Sequence, residues 1–204
     1  PSQSDKTGDI DMLTMVKQYI KEKYNKPGNV YLGLVHRLDR PVGGIMIFAK
    51  TSKAASRLSD QVREKVFKKK YLAVVDGKIE NKSGTLEDYL YKDERNNISK
   101  VVNKGKKNAK FAKLDYDVIK YDEVKNLSLV KVNLHTGRHH QIRVQLSNFG
   151  HSIFGDQKYG TRGQGKQIAL WAYELTINHP ITKEEITFKD LPESVGTWCI
   201  LRNR

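Results

Sequence analysis

Apolar residues in this chain gather into short strand-like runs at 30–35, 44–49, 71–75, 127–134 and 168–177, and helical stripes are few. Runs of this length bounded by turn residues read as strands, whereas apolar positions recurring every three or four residues read as an amphipathic helix. The helical stripes are Leu13, Val16, Ile20 and Tyr24, then Ala54, Leu58, Val62 and Val66, then Ile142, Leu146 and Phe149. No regular β-α alternation links these segments. A doubly wound sheet is therefore disfavoured, and the pattern predicts an α+β fold: a mixed, largely antiparallel sheet with flanking helices and loops.

Local signals set the boundaries. Asp9 or Asp11 is available to cap the first helix, and Asn25-Lys26-Pro27-Gly28 stops it. Thr51 or Ser52 can cap the second. The run 44–49 is nearly all apolar and reads as a strand buried on both faces. Asp76-Gly77 closes the strand at 71–75, and Thr136-Gly137 ends the strand at 127–134 before a helix over 140–149. Residues 100–113 hold six lysines, Gly105 and no acid, which predicts an exposed loop or hairpin.

With 204 residues and 38% apolar content, one domain over 1–204 can bury a real core. The single cysteine, Cys199, excludes a disulfide framework and a cysteine-based zinc site. No run of about 18 apolar residues and no signal-peptide pattern is present, so a cytoplasmic protein with no membrane partner is expected. Lys plus Arg number 37 against 23 for Asp plus Glu, a net charge of +14. That imbalance favours a polyanionic partner, nucleic acid above all, and says nothing about chemistry.

The chemistry starts at Asp39, which the segment Val35-His36-Arg37-Leu38-Asp39-Arg40 sets among Arg37, Arg40 and His36. Nearby cations favour the charged form of an acid. An ordinary surface ion pair competes with a functional anion as the explanation. Thr136-Gly137-Arg138-His139-His140-Gln141-Ile142-Arg143 places a glycine and two arginines at a helix start, where free N–H groups with Arg138 could hold a phosphate. Arg143, about one and a half turns further, could instead pair with Asp39.

His135, His139 and His140 invite a metal reading, but the glutamate of the zincin motif is missing, and no metal site is expected. Tyr71 follows Lys68-Lys69-Lys70 at a strand start, so its ring could stack on an unstacked base while lysines track phosphates; simple sheet packing is the competing reading.

Four blocks in order resemble the RluA-type RNA pseudouridine synthases. They are His36-Arg37-Leu38-Asp39 with Gly44-Ile45-Met46-Ile47-Phe48-Ala49-Lys50, Lys70-Tyr71-Leu72-Ala73, Thr136-Gly137-Arg138-His139-His140-Gln141-Ile142-Arg143-Val144, and Gly150-His151-Ser152-Ile153-Phe154-Gly155-Asp156 with Tyr159-Gly160. The resemblance implies an isomerase that converts uridine to pseudouridine in structured rRNA or tRNA, without metal or organic cofactor. It implies Asp39 as the essential carboxylate, Arg143 as its salt-bridge partner and Tyr71 as the group stacking on the flipped uracil. His36, Arg37, Arg138, His140 and Lys70 become expected RNA contacts. An adduct at C1′, removal of a C2′ proton through a glycal, and addition at C6 all remain open for Asp39.

Three departures accompany the resemblance. Pro41-Val42-Gly43 stands where many relatives carry a hydroxyl residue pair, Asn25-Lys26-Pro27-Gly28 is too close to His36 to end the family's N-terminal strand, and no S4-type module precedes the domain. An N-terminally shortened, monomeric catalytic domain that does not use DNA is the expectation. The alternative is a basic RNA-binding domain that kept the fold without catalysis. Asp39 argues against it, because an anion weakens a surface that meets phosphates.

Overall fold

The computed structural model describes residues 1–3, 8–163 and 166–202. Helix α1 (Met12–Lys23) starts at Asp11, whose carboxylate accepts the Thr14 N–H at 2.9 Å. Lys21 and Lys23 occupy its last turn, where cations complement the helix dipole. Two short strands follow, β1 (Gly33–Leu34) and β2 (Gly43–Gly44), then β3 (Phe48–Ala49). Helix α2 (Ser52–Arg63) is capped by Thr51, which accepts the Ala54 N–H at 3.1 Å. Of the two candidate caps at each helix, Asp11 and Thr51 are the ones used.

The remaining strands are β4 (Lys68–Asp76), β5 (Ser83–Asp93), β6 (Ile98–Val102), β7 (Lys110–Asp122) and β8 (Leu127–Leu134). After α3 (Gln141–Asn148) come β9 (Leu170–Asn178), β10 (Glu185–Lys189) and a 3-10 turn (Gly196–Leu201). The main sheet runs β10-β9-β4-β8-β7-β5-β6 with every neighbouring pair antiparallel, and β2 joins β9 in parallel. The mixed, largely antiparallel sheet read from the sequence is thus the one found.

β4 and β8 are its centre. Ala73, Val74, Val75, Val130 and Val132 are fully buried there, and one cluster joins them to Ile142 and Leu146 of α3. Burial of each such valine or leucine side chain contributes about 1.5–3 kcal/mol. A second cluster holds Ala49, Leu58, Phe67, Leu175 and Ile177 beneath α2.

The run 44–49 differs from the expected strand. Ile45 donates its N–H to the Ala172 carbonyl at 2.9 Å, and Ile47 donates its own to Nε2 of His36 at 3.0 Å. A side chain and one bridging carbonyl replace a ladder over 45–47, so only the ends of the run pair: Gly44 with β9, and Phe48 and Ala49 with β1. Gly43 and Gly44 lie directly against Trp171 and Ala172, where a Cβ would strike the Trp171 ring or the Ala172 backbone. Residues 100–113 resolve into the end of β6, a turn at 103–109 and the start of β7. Among the described residues, no helix is long and apolar enough to cross a membrane.

Candidate active site

The sheet and α3 bring three distant segments together. Asp39 sits in the loop between β1 and β2, Tyr71 on β4, and Arg143 in the first turn of α3. Residues four apart along the helix share a face, and this one turns Gln141, Gln145 and Arg143 inward, all under 4% exposed. The Arg143 guanidinium forks onto Asp156 through Nε–Oδ2 at 2.8 Å and Nη2–Oδ1 at 2.7 Å. Its remaining nitrogen, Nη1, reaches Oδ2 of Asp39 at 3.3 Å. One planar cation therefore joins two carboxylates, the bidentate pairing for which arginine is suited.

Asp156 is completely buried and fully partnered. Besides Arg143, its Oδ1 accepts the N–H groups of Lys158 at 2.9 Å and Tyr159 at 3.2 Å. Burial opposes its charge, but these donors outweigh it and hold the carboxyl below its ordinary range. Burial likewise opposes the Arg143 charge, and Asp156 and Asp39 hold the guanidinium protonated.

Asp39 differs. Its side chain is 29% exposed, and among the described residues its Oδ1 accepts no hydrogen bond. His140 stands behind it with Nε2 3.7 Å from Oδ2, short of a hydrogen bond. The His140 backbone lies in the left-handed region, φ +52°, and this turn aims the ring at Asp39 rather than along the helix. The Tyr159 hydroxyl accepts the Ser99 N–H at 2.7 Å and meets His140 Nδ1 at 2.8 Å. Among the described residues Nδ1 is the one acceptor within reach of that hydroxyl's own proton, and donation to it leaves the imidazole proton on Nε2, facing Asp39. Burial first, then the Arg143 charge, lowers the His140 pKa to about 3, and the ring stays neutral.

Tyr71 is 7% exposed. Burial first and the Asp39 charge second push its phenol well above the ordinary range, so it keeps its proton. The expected residues Asp39, Tyr71, Arg143 and His140 therefore meet in one place. The others lie differently. His36 is buried against Phe67, ring centroids 5.1 Å apart, with Nε2 accepting from Ile47. Burial first, then the charge of Lys69, lowers its pKa to about 4. Lys70 projects from the opposite face of β4 to Tyr71 and pairs with Glu174 at 2.6 Å. Arg37 is exposed, and Arg138, also exposed, donates from Nε to the Phe111 carbonyl at 2.9 Å.

Arg40, expected beside Asp39, pairs instead with Asp9. The start of α3, read as a place for a phosphate, is covered by its own Gln141: Oε1 accepts the Arg138 N–H at 3.0 Å and the Thr136 hydroxyl at 2.8 Å. His135 bonds to Asp115 while His139 and His140 stack on each other at 3.7 Å, so the three histidines do not converge. Asp156 and Tyr159 were not singled out by the sequence as site residues. The available signal was an acid and a tyrosine inside a glycine-rich turn just after the helix that carries Arg143.

The signature of the RNA pseudouridylate synthase family matches residues 2–148. A Bacillus subtilis protein named Uncharacterized RNA pseudouridine synthase YhcT is 37% identical over 155 residues, 74% of this chain and 50% of its own length. The tRNA pseudouridine synthase C of Haemophilus influenzae is 34% identical over 171 residues, 75% of this chain and 71% of that protein. Ribosomal large subunit pseudouridine synthase C of the same organism is 34% identical over 174 residues, covering 80% and 52%. The chain thus spans between half and about seven-tenths of the length of these relatives. Two solved structures share the fold: human RNA Pseudouridylate Synthase Domain Containing 1 (TM-score 0.75, 24% identity, 91% of this chain and 77% of that one) and Domain Containing 4 (0.77, 22%, 91% and 81%). A matching signature over most of the chain and relatives above 30% identity agree: this chain belongs to the RluA-type RNA pseudouridine synthase family.

Proposed function

We propose that residues 1–204 act as a single catalytic domain that isomerises uridine to pseudouridine in tRNA or rRNA in the cytoplasm. The reaction breaks the bond between N1 of uracil and C1′ of ribose, joins C5 to C1′, and releases the C5 proton while N1 regains one. Atoms and charge balance with no external reactant. The uridine must leave its stack to reach a side chain, and the net charge of +14 supports the binding of the surrounding phosphates.

The observation that carries the reading is the asymmetry of Asp39. One oxygen is held by a cation anchored elsewhere, and the other is open. A fixed carboxylate with a free oxygen suits attack at C1′, removal of a C2′ proton or addition at C6. Tyr71, protonated and largely buried, supplies an apolar wall for uracil, and base stacking of this kind contributes about 1–3 kcal/mol. His140 turns an N–H toward Asp39 without carrying a charge that would neutralise it.

The test is Asp39→Ala, with pseudouridine mapped in tRNA and rRNA from cells lacking the protein after incubation with parent or variant. Parent protein should modify defined uridines, and the variant should lose turnover by more than about 10³-fold while binding RNA within about twofold of the parent. Equal turnover by the two proteins would remove Asp39 from the chemistry.

A further inference from the structure

Three consecutive lysines open β4, and the structure treats them unequally. Lys68 pairs with Glu185 at 3.0 Å, and Lys70 pairs with Glu174 at 2.6 Å. Lys69, between them, has no carboxylate within ion-pair distance among the described residues. Side chains alternate along a strand, so Phe67, Lys69 and Tyr71 share one face. Phe67 packs into the cluster beneath α2, and Tyr71 into the cluster beneath α3. Lys69 therefore stands at the seam between two apolar clusters, where packing alone would favour a hydrophobic residue.

The charge meets an aromatic face instead of a carboxylate. The ammonium lies 5.4 Å from the centre of the Phe67 ring, and it would be 3.7 Å from a Cβ added at Gly137. Its charge is felt by His36, whose buried Nδ1 has no hydrogen-bond partner among the described residues. Because Nε2 of that ring accepts from Ile47, Nδ1 carries the proton and is a donor without an acceptor. Burial pushes the Lys69 pKa down, so holding the cation here costs the empty fold free energy. Both groups are donors open to an acceptor from outside the protein.

We propose that Lys69 is a phosphate-binding residue, which receives a phosphodiester oxygen of the bound RNA about 6.6 Å along the strand from Tyr71. This rests on the reading of Asp39 and Tyr71 as a uridine pocket. The exposed loop at Gly137 borders the ammonium, which an added Cβ there would meet at ordinary contact distance. A lysine serving the fold would be matched to an acid, as its two neighbours are. A lysine serving a polyanionic substrate is left unmatched, at some cost to stability until the substrate arrives.

The test compares Lys69→Met with the parent and with Lys78→Gln, a control that removes a charge paired to Glu80 near the far end of β4. Binding of a tRNA transcript is titrated across salt concentrations, and thermal melting is recorded without RNA. Lys69→Met should weaken binding about tenfold at low salt, reduce the salt slope by about 0.7 to 0.9, and raise the melting temperature. Lys78→Gln should change the slope by less than half as much. Parent-like affinity and slope in Lys69→Met would overturn the assignment, as would a loss no greater than the control's. A lower melting temperature with unchanged binding would make Lys69 a structural residue. Should the Met variant fail to fold, Lys69→Gln takes its place with the same expected slope. Neither readout needs turnover, so failure at Asp39 and failure at Lys69 are told apart.

Discussion

Two carboxylates share the Arg143 guanidinium, and the loop that carries Asp39 is built unlike the turn that carries Asp156. Asp156 has no exposure, two bonds from the guanidinium and two from backbone N–H groups. Asp39 has one longer bond from Nη1, a partly exposed side chain and an open oxygen. The first arrangement is saturated, so nothing remains for a substrate. The second is held yet unsatisfied. A buried acid completes the support of a cation, and that cation holds a second, partly exposed acid with one oxygen open.

The largest effect that can break this comparison is the one at Asp39. Asp39→Ala should abolish turnover, yet it removes a single partly exposed contact from an arginine that Asp156 still holds. Its unfolding free energy should therefore stay within about 1 kcal/mol of the parent in urea titration. A large stability loss would mean that Asp39 supports the fold as Asp156 does.

Asp156→Asn is the reciprocal case. It leaves a buried guanidinium facing an amide and should cost about 3 kcal/mol in the same titration, because breaking one side of a buried pair strands the other charge. Turnover should fall as well, since Arg143 loses the anchor that aims Nη1 at Asp39. Unchanged stability with lost turnover would transfer Asp156 from support to chemistry.

Much of this was legible in the sequence, for identifiable reasons. Alternation over 127–134 ended by Thr136-Gly137 gave β8 its observed limits, and a cap next to a helical stripe located α1 and α2. β5 and β7 were not assigned, because charged residues interrupt their apolar positions and the strands are only half covered. The 44–49 run looked like a complete strand since composition cannot show that His36 takes the Ile47 N–H. That Asp39, Tyr71 and Arg143 come together was readable from motif order. Arg40 misled because adjacency in sequence was taken for contact, whereas its side chain turns to Asp9. Asp156 was hidden for the opposite reason: its partner lies 13 residues away, across a turn whose path the sequence does not fix.

Protonation offers a third way to sharpen the contrast, because burial first and the Arg143 charge second keep the ring beside the two acids neutral. His140 and His36 have pKa values lowered to about 3 and about 4, below the roughly 6.5 of the unfolded chain. The unfolded state therefore takes up these protons first as pH falls. Stability contributed by the neutral rings is complete above about pH 6.5 and is lost as pH drops toward 4 and below, by about 3 kcal/mol for each ring at pH 4. Urea titrations from pH 7 to pH 4 measure the slope, and His140→Gln should flatten it. A slope unaffected by that substitution would place the lost protons elsewhere.

The smallest effect tests the Asp39 side of the comparison from behind. Tyr159→Phe keeps the ring that lies 5.2 Å from the Arg143 guanidinium and removes only the hydroxyl between Ser99 and His140. Without that donor, His140 Nδ1 no longer has to be the acceptor, and the tautomer with its proton facing Asp39 loses its preference. The buried Ser99 N–H also loses its partner, so stability should fall by about 1 kcal/mol. Turnover should drop about tenfold through kcat, with KM for RNA nearly unchanged, because the hydroxyl orients a neighbour of the carboxylate and is committed to bonds within the protein. A loss confined to KM would instead make the hydroxyl an RNA contact. With kcat and KM both at parent values, the Ser99–Tyr159–His140 chain would be packing alone, and Arg143 by itself would set the direction of Asp39.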